Sequence, residues 1–151
     1  MTTERTENKS IWMKYQWSTG DAIGRFLAGL EDGQILAAVC PDCDDRIVPA
    51  RSFCRSCHVG TDGFEPVSDV GQISTHTVVE VENELAPADP PYVIAVINLE
   101  GADTGMVHIV DSGTPGEVES GDDVEACWKS PSNREGRITD IEHFSEVGSN
   151  E

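Results

Sequence analysis

Apolar positions along this chain follow two different periods. Ile23, Phe26, Leu27 and Leu30 recur at helical spacing and share one face, as a 3.6-residue repeat requires. Ser18 stands before that run as a candidate N-cap, with Asp21 near the positive end of the dipole and Gly33 as the stop. The pattern predicts a short amphipathic helix docked by one face. Residues 34–39 and 46–49 then read as short strands. From Gly71 the period changes to two: Ile73, Thr75, Thr77, Val79 and Val81 line one side of a long strand. Residues 92–99 are almost wholly apolar, as in a strand buried on both faces or at the centre of a small barrel. Three more strands are predicted at 104–110, 123–129 and about 137–144, with turn-rich loops between them. Five strands without a helical pattern among them fit a small closed barrel, an OB-fold. A five-stranded sandwich stays open, because periodicity does not establish strand order.

Between helix and barrel lie four cysteines in two knuckles, Cys40-Pro41-Asp42-Cys43 and Cys54-Arg55-Ser56-Cys57, ten residues apart. Each knuckle presents two thiolates to one ion, and two facing knuckles complete a tetrahedron with no position left for water or substrate. This spacing points to structural Zn2+ in a rubredoxin-like zinc ribbon, with iron as the competitor for the same four sulfurs. So small a unit has little core, and metal binding supplies most of what folds it. Residues 1–10 are polar and lack the apolar run of a secretory signal, so a reducing, cytoplasmic location is expected and metal is favoured over disulfides. Cys127, beside Trp128, reads as a buried small hydrophobe. The overall expectation is a mainly β chain: arm and helix over 1–33, zinc ribbon over 34–66, OB-fold over 67–145, and a disordered tail over 146–151.

Charge narrows the function. Of 151 residues 28 are Asp or Glu and 10 are Lys or Arg, a net charge of −18. Such a surface repels phosphate backbones, which disfavours nucleic acid as the partner of ribbon or barrel. The acidity fits either a high-salt environment, where screening reaches down to ~3 Å at 1 M, or docking on a basic partner. No apolar run approaches the ~20 residues that a membrane helix needs. The arm, in contrast, concentrates Ile11, Trp12, Met13, Tyr15 and Trp17. Side chains of that size are costly in water, so they are expected to lie against their own domain or against another subunit.

Several local motifs resemble a known family. These are Phe26-Leu27-Ala28-Gly29-Leu30 with Gly33-Gln34-Ile35, the two knuckles with the lead-in Pro49-Ala50-Arg51-Ser52-Phe53, the strand and turn from Pro91 to Gly101, and Gly121-Asp122-Asp123-Val124. The chain is similar over roughly 20–145 to the zinc-ribbon plus OB-fold proteins that accompany thiolase-like and acyl-CoA enzymes, long catalogued as a domain of unknown function. It departs from their pattern in having Ala50 where a second proline is common, and Asp44 and His58 where glycine usually follows each knuckle. Asp accepts a left-handed backbone fairly well and His less so. His58 is read either as a donor to a metal-bound sulfur or as a plain surface residue.

The resemblance implies a non-catalytic accessory subunit in lipid metabolism. Its partner would be a thiolase-fold protein: a thiolase, a hydroxymethylglutaryl-CoA synthase, or an aldolase acting on a CoA thioester. The subunit would help to assemble that complex and to bind or channel acyl-CoA. Arg46, Arg51 and Arg55 are the candidate CoA-phosphate ligands, since planar guanidinium forks suit phosphates. Local pairing with Asp42, Asp44 and Asp45 is the alternative. Trp12, Tyr15, Trp17 and Phe26 are the candidate docking residues. His76, His108 and His143 have no nearby Ser, Cys or acid at a spacing that suggests a triad, so no catalytic residue is assigned. A single-stranded nucleic-acid-binding OB-fold is the alternative function. It would use stacking aromatics such as Tyr92, Trp128 and Phe144, but only Lys129, Arg134 and Arg137 supply positive charge in the barrel segment.

Overall fold

The computed structural model describes residues 6–148. The chain begins with an arm free of regular structure and enters α1, Gly20–Glu31. Thr19, not Ser18, takes the N-cap position and makes no side-chain cap, so Asp21 in the first turn is the surviving start signal. The stop is stronger. Gly33 adopts φ 76°, Gln34 N–H donates to the Gly29 carbonyl at 2.8 Å, and Gly33 N–H donates to Leu30 at 3.0 Å. Those bonds form a Schellman motif, which occupies helix-end carbonyls otherwise left without donors.

Three antiparallel strands build the ribbon in the order β2-β1-β3: β1 is Ile35–Val39, β2 is Arg46–Ile47 and β3 is Phe64–Val67. The barrel follows with β4 Val70–Val79, β5 Tyr92–Leu99, β6 Met106–Asp111, β7 Asp123–Trp128 and β8 Ile141–Glu146. It closes in the order β4-β5-β6-β8-β7, with β7 returning to β4. All neighbours are antiparallel except β6 and β8. This is the five-stranded OB topology. β5 occupies the expected 92–99, but its burial alternates: Val93, Ala95, Ile97 and Leu99 point inward and the intervening residues outward. It is a barrel strand rather than one buried on both faces.

Two expectations about the C-terminal part are corrected. The last strand begins at Ile141, because residues 135–140 wrap around Asp140 instead. The N–H groups of Glu135, Gly136 and Arg137 donate to that buried carboxylate at 2.8–3.2 Å. Burial alone would push Asp140 up, but these bonds and Lys129 hold it below the usual carboxylate range. The first residue of the expected tail, Glu146, is also strand, since Val124↔Glu146 extends the β7–β8 ladder. Residues 149–151, like residues 1–5 of the arm, lie outside the described residues.

Ribbon and barrel share one hydrophobic core. Phe26 and Leu30 of α1, Ile35, Ala37 and Ala38 of β1, and Val48 and Ala50 pack continuously with Ile73, Ile97, Met106 and Phe144 of the barrel. The turn between β5 and β6 also hydrogen-bonds to the ribbon's edge. Asp103 Oδ2 accepts the Arg46 N–H at 2.8 Å, and Asp103 N–H donates to the Arg46 carbonyl at 2.8 Å.

Candidate functional site

The two knuckles are built alike. Cys40 N–H donates to the Asp45 carbonyl at 3.0 Å, as Cys54 N–H does to Val59 at 2.8 Å. Asp44 N–H returns to Cys40 at 3.0 Å, as His58 N–H does to Cys54 at 2.9 Å. Each loop can close only if its fifth residue turns left-handed, and Asp44 (φ 62°) and His58 (φ 58°) both do. The His58 side chain is exposed and makes no hydrogen bond among the described residues. Cys40 and Cys54 are buried with Ile47 in a small core of their own, with Cys57 and Val59 against it.

The four Sγ atoms lie within 4.8 Å of one another, and those of Cys43 and Cys54 are 3.8 Å apart. A tetrahedron with metal–sulfur bonds of about 2.3 Å has sulfur–sulfur edges of about 3.8 Å. All five cysteines are free thiols, and a disulfide would need about 2.05 Å. The site fits one four-thiolate metal ion, and it is the one such cluster among the described residues. Without an ion the thiols divide their charge unequally. The N–H groups of Cys57 and Ser56 lower Cys54 to about 7. Cys43 is raised: the Asp45 N–H opposes the shift, but burial and hydrogen bonds with the other three cysteines prevail. A cation would abolish that difference by drawing all four into the thiolate form.

The arginines separate into two groups. Arg46 is engaged: its Nε donates to Glu65 Oε2 at 2.7 Å, an acid on β3 rather than one of the neighbouring aspartates. Arg51 and Arg55 have no ion pair among the described residues. Together they line a cleft of about 150 Å³ in which Asp45 is the single acid and the barrel contributes Thr104 and Gly105. An anion between two such guanidinium groups would find forked donors and little competition from acids.

The arm stands away from the body. Trp12 is 86 % exposed, Tyr15 73 % and Trp17 63 %, with Ile11 and Met13 alongside. Phe26, grouped with them from the sequence, faces the other way. At 2 % exposure it is a core residue, because α1 turns that side onto β1.

His76 and His108 take cross-strand positions on either side of Ala95, on the inward side of the barrel. His108 Nε2 lies 3.3 Å from the Ile138 carbonyl, and its ring meets Phe144 edge-on at 5.5 Å. Register also sets Cys127 opposite His143, a juxtaposition that sequence spacing does not reveal. The half-buried Cys127 thiol contacts Ser145 Oγ at 3.2 Å. No thiol–imidazole or hydroxyl–imidazole hydrogen bond of the kind nucleophilic catalysis uses occurs among the described residues. Of the three aromatics that would stack on nucleic acid, two are occupied, while Tyr92 is half-buried on the outer side of β5. Phe144 is fully buried, and Trp128 donates to Asp69 at 3.1 Å while Arg134 covers its ring. No helix among the described residues is long and apolar enough to cross a membrane.

Comparison with known proteins agrees with this architecture. Residues 27–63 match the family model described as the rubredoxin-like zinc ribbon domain of ChsH2, and residues 64–129 match that of its C-terminal OB-fold domain. A protein of Methanocaldococcus jannaschii named as a DUF35 domain-containing scaffold protein is 33 % identical over 97 residues, covering 63 % of this chain and 67 % of its own length. Among solved structures, one described as the Ltp2-ChsH2(DUF35) aldolase superposes with a TM-score of 0.64 at 18 % identity, over 87 % of this chain and 98 % of that one. A DUF35 protein of unknown function from Sulfolobus solfataricus gives 0.59 at 24 % identity, over 72 % and 78 %. At those identities the structures speak for the fold alone. Two adjoining domain models and a relative matched over two thirds of its length identify the lineage: the chain belongs to the ChsH2, or DUF35, family of zinc-ribbon and OB-fold proteins.

Proposed function

We propose that this protein is a non-catalytic scaffold subunit of an enzyme complex acting on acyl-CoA thioesters, seated on a thiolase-type partner. The observation that carries this is the arm, whose five large apolar side chains between Ile11 and Trp17 stand in water with nothing of their own domain to cover them. Burying one such side chain is worth roughly 1.5–3 kcal/mol, so the set supplies a strong anchor once a partner covers it. The ion is Zn2+. Four thiolates close its shell, which makes it a staple rather than a Lewis acid. The barrel interior is filled by side chains such as Ile73, Ile97, Met106 and Phe144. The name of the archaeal relative, a scaffold protein, supports an assembly role here. The description of the aldolase structure, which joins two protein names, is consistent with one.

In that complex the cleft of Arg51 and Arg55 is the place for a CoA phosphate, and Arg46, tied to Glu65, stands outside its lining. The test is affinity capture of the tagged chain from its own host at the host's salt, followed by mass spectrometry. A thiolase-fold protein in near-stoichiometric amount is expected with the full chain and is lost on deletion of residues 1–17. Co-purification that survives the deletion removes the arm from the interface. In the assembled complex, Arg51→Ala with Arg55→Ala should weaken CoA binding at unchanged metal content, and unchanged affinity rejects the cleft.

A further inference from the structure

The outer face of β4, β5 and β6 carries one charge, Asp111 at the acidic end of β6, in a chain with 28 acids. Register sets Thr75, Val96 and Val107 in one outward row and Thr77, Ile94 and Ile109 in the next. Val107 is 59 % exposed, and the other five are exposed or half-buried. The pairs that flank these rows, Gln72 with Asn98 and Val79 with Tyr92, are uncharged too. Contiguous β-branched side chains open to water mark a surface that another surface covers.

The two ends of this face carry opposite charge. At one end β4 runs into a loop with Glu80, Glu82 and Glu84, all exposed and none ion-paired among the described residues. At the other, the turn before β6 brings Thr104 and Gly105 to the cleft that holds Arg51 and Arg55. That turn abuts the apolar rows directly, since a Cβ on Gly105 would stand 2.5 Å from Val96 Cγ1 and 3.0 Å from Asn98 Oδ1.

We infer that this face pairs two copies of the chain about a two-fold axis, apolar rows against apolar rows. The axis lies in the plane of the contact and perpendicular to the strands, so it reverses strand direction and lays the acidic loop of each copy over the arginine cleft of the other. A two-fold contact must be complementary to itself, and a face neutral in the middle with opposite charges at its ends meets that condition. Two chains of charge −18 repel one another over most of their surface. They meet at least cost where charge is absent and with gain where opposite charges face. A partner with a uniformly basic rim would instead be repelled at the arginine end.

Area says which contacts matter. Three strands about 4.8 Å apart, over some eight residues at ~3.3 Å each, present on the order of 350–400 Å². A stable interface covers about 800 Å² per partner, so the loop and cleft at the two ends must supply the remainder. The charged ends are then part of the contact and decide whether it holds.

Sedimentation equilibrium of the full chain at micromolar concentration tests this without any partner enzyme. The wild type is expected at twice the chain mass. Val107→Glu, at an exposed position, is expected as a monomer with unchanged circular dichroism and metal content. Arg51→Glu with Arg55→Glu makes both ends acidic, and Glu82→Lys with Glu84→Lys makes both basic. Each of these variants alone should be monomeric, while their equimolar mixture should restore the dimer. A monomeric wild type, a dimer that survives Val107→Glu, or charge variants that dimerise alone or fail to pair when mixed would overturn the proposal. Arg51 and Arg55 serve one contact at a time, so this dimer and a CoA-loaded complex exclude one another at the cleft; none of these results bears on whether a thiolase-type partner is captured.

Discussion

The Thr104 hydroxyl accepts the Val48 N–H and donates to the Val48 carbonyl, both at 2.8 Å. A barrel side chain thus stands in for the strand missing beside the ribbon, next to the bonds that Asp103 makes to Arg46. Thr104→Val keeps the shape and removes both bonds, leaving two polar groups of buried Val48 without partners. A loss of about 2–3 kcal/mol is expected, read as a lower midpoint in chemical denaturation. Thr104→Ser should recover most of it, and a valine variant of wild-type stability would mean that water replaces the hydroxyl.

His58 carries a conformational cost that can be removed. A non-glycine residue in the left-handed region costs roughly 1–2 kcal/mol, and the exposed His58 side chain makes no hydrogen bond among the described residues in return. His58→Gly should therefore raise the unfolding free energy by about 0.5–1 kcal/mol after the added chain entropy of glycine. Asp44→Gly should gain less, because aspartate tolerates φ > 0 better. Denaturation of both variants with metal bound checks the order.

Metal removal should weaken the whole chain and not the ribbon alone, because Ala37, Ala38 and Val48 of the ribbon lie in the same core as Ile97 and Phe144. Elemental analysis is expected to find one ion per chain, lost in Cys40→Ser. A ligand present at a thousand times its dissociation constant stabilises by about 4 kcal/mol, so the apo chain should unfold in one transition at lower denaturant. A barrel transition unmoved by chelation would show that the shared core does not couple them.

Burial pushes His108 below its ordinary value of 6.5. Its contacts with Ile138 and Ile109 oppose that shift, and the neighbouring His143 adds to it. A depressed histidine binds fewer protons folded than unfolded. Its contribution is therefore fully present above pH 6.5 and is lost as pH falls from there towards the lowered folded value. Between pH 7 and 5.5 the wild type should lose more stability than His108→Gln, by up to about 1.4 kcal/mol per pH unit. Equal slopes would mean that His108 is hydrated in the folded chain.

What could be read from the residues depended on how local each signal was. The knuckles announce themselves, since two thiolates within a four-residue loop need no tertiary information, and residues 92–99 form β5 because their apolar run has one natural partner, a core. β3 escaped because Pro66 interrupts the four residues Phe64–Val67, which pair only with β1, nearly thirty positions earlier. The start of β8 was misplaced because Asp140 looks like any acid until three N–H groups are seen to converge on it. Phe26 belonged to a helical stripe whose burial was foreseen, and its assignment to docking conflicted with that same stripe. The gathering of Arg51, Arg55 and Thr104 in one cleft depends on how ribbon and barrel meet, which no short window contains.

The two domain models meet between residues 63 and 64, and that seam cuts β1 from β3. The first model lacks the strand that completes its sheet, and the second stops at 129, before the β8 that closes the barrel. A gene split or recombined at that seam would release two fragments, each with half of a common core turned to water. The boundary by which this chain is classified therefore runs through one sheet and one core, and neither half holds all the strands that its own sheet needs.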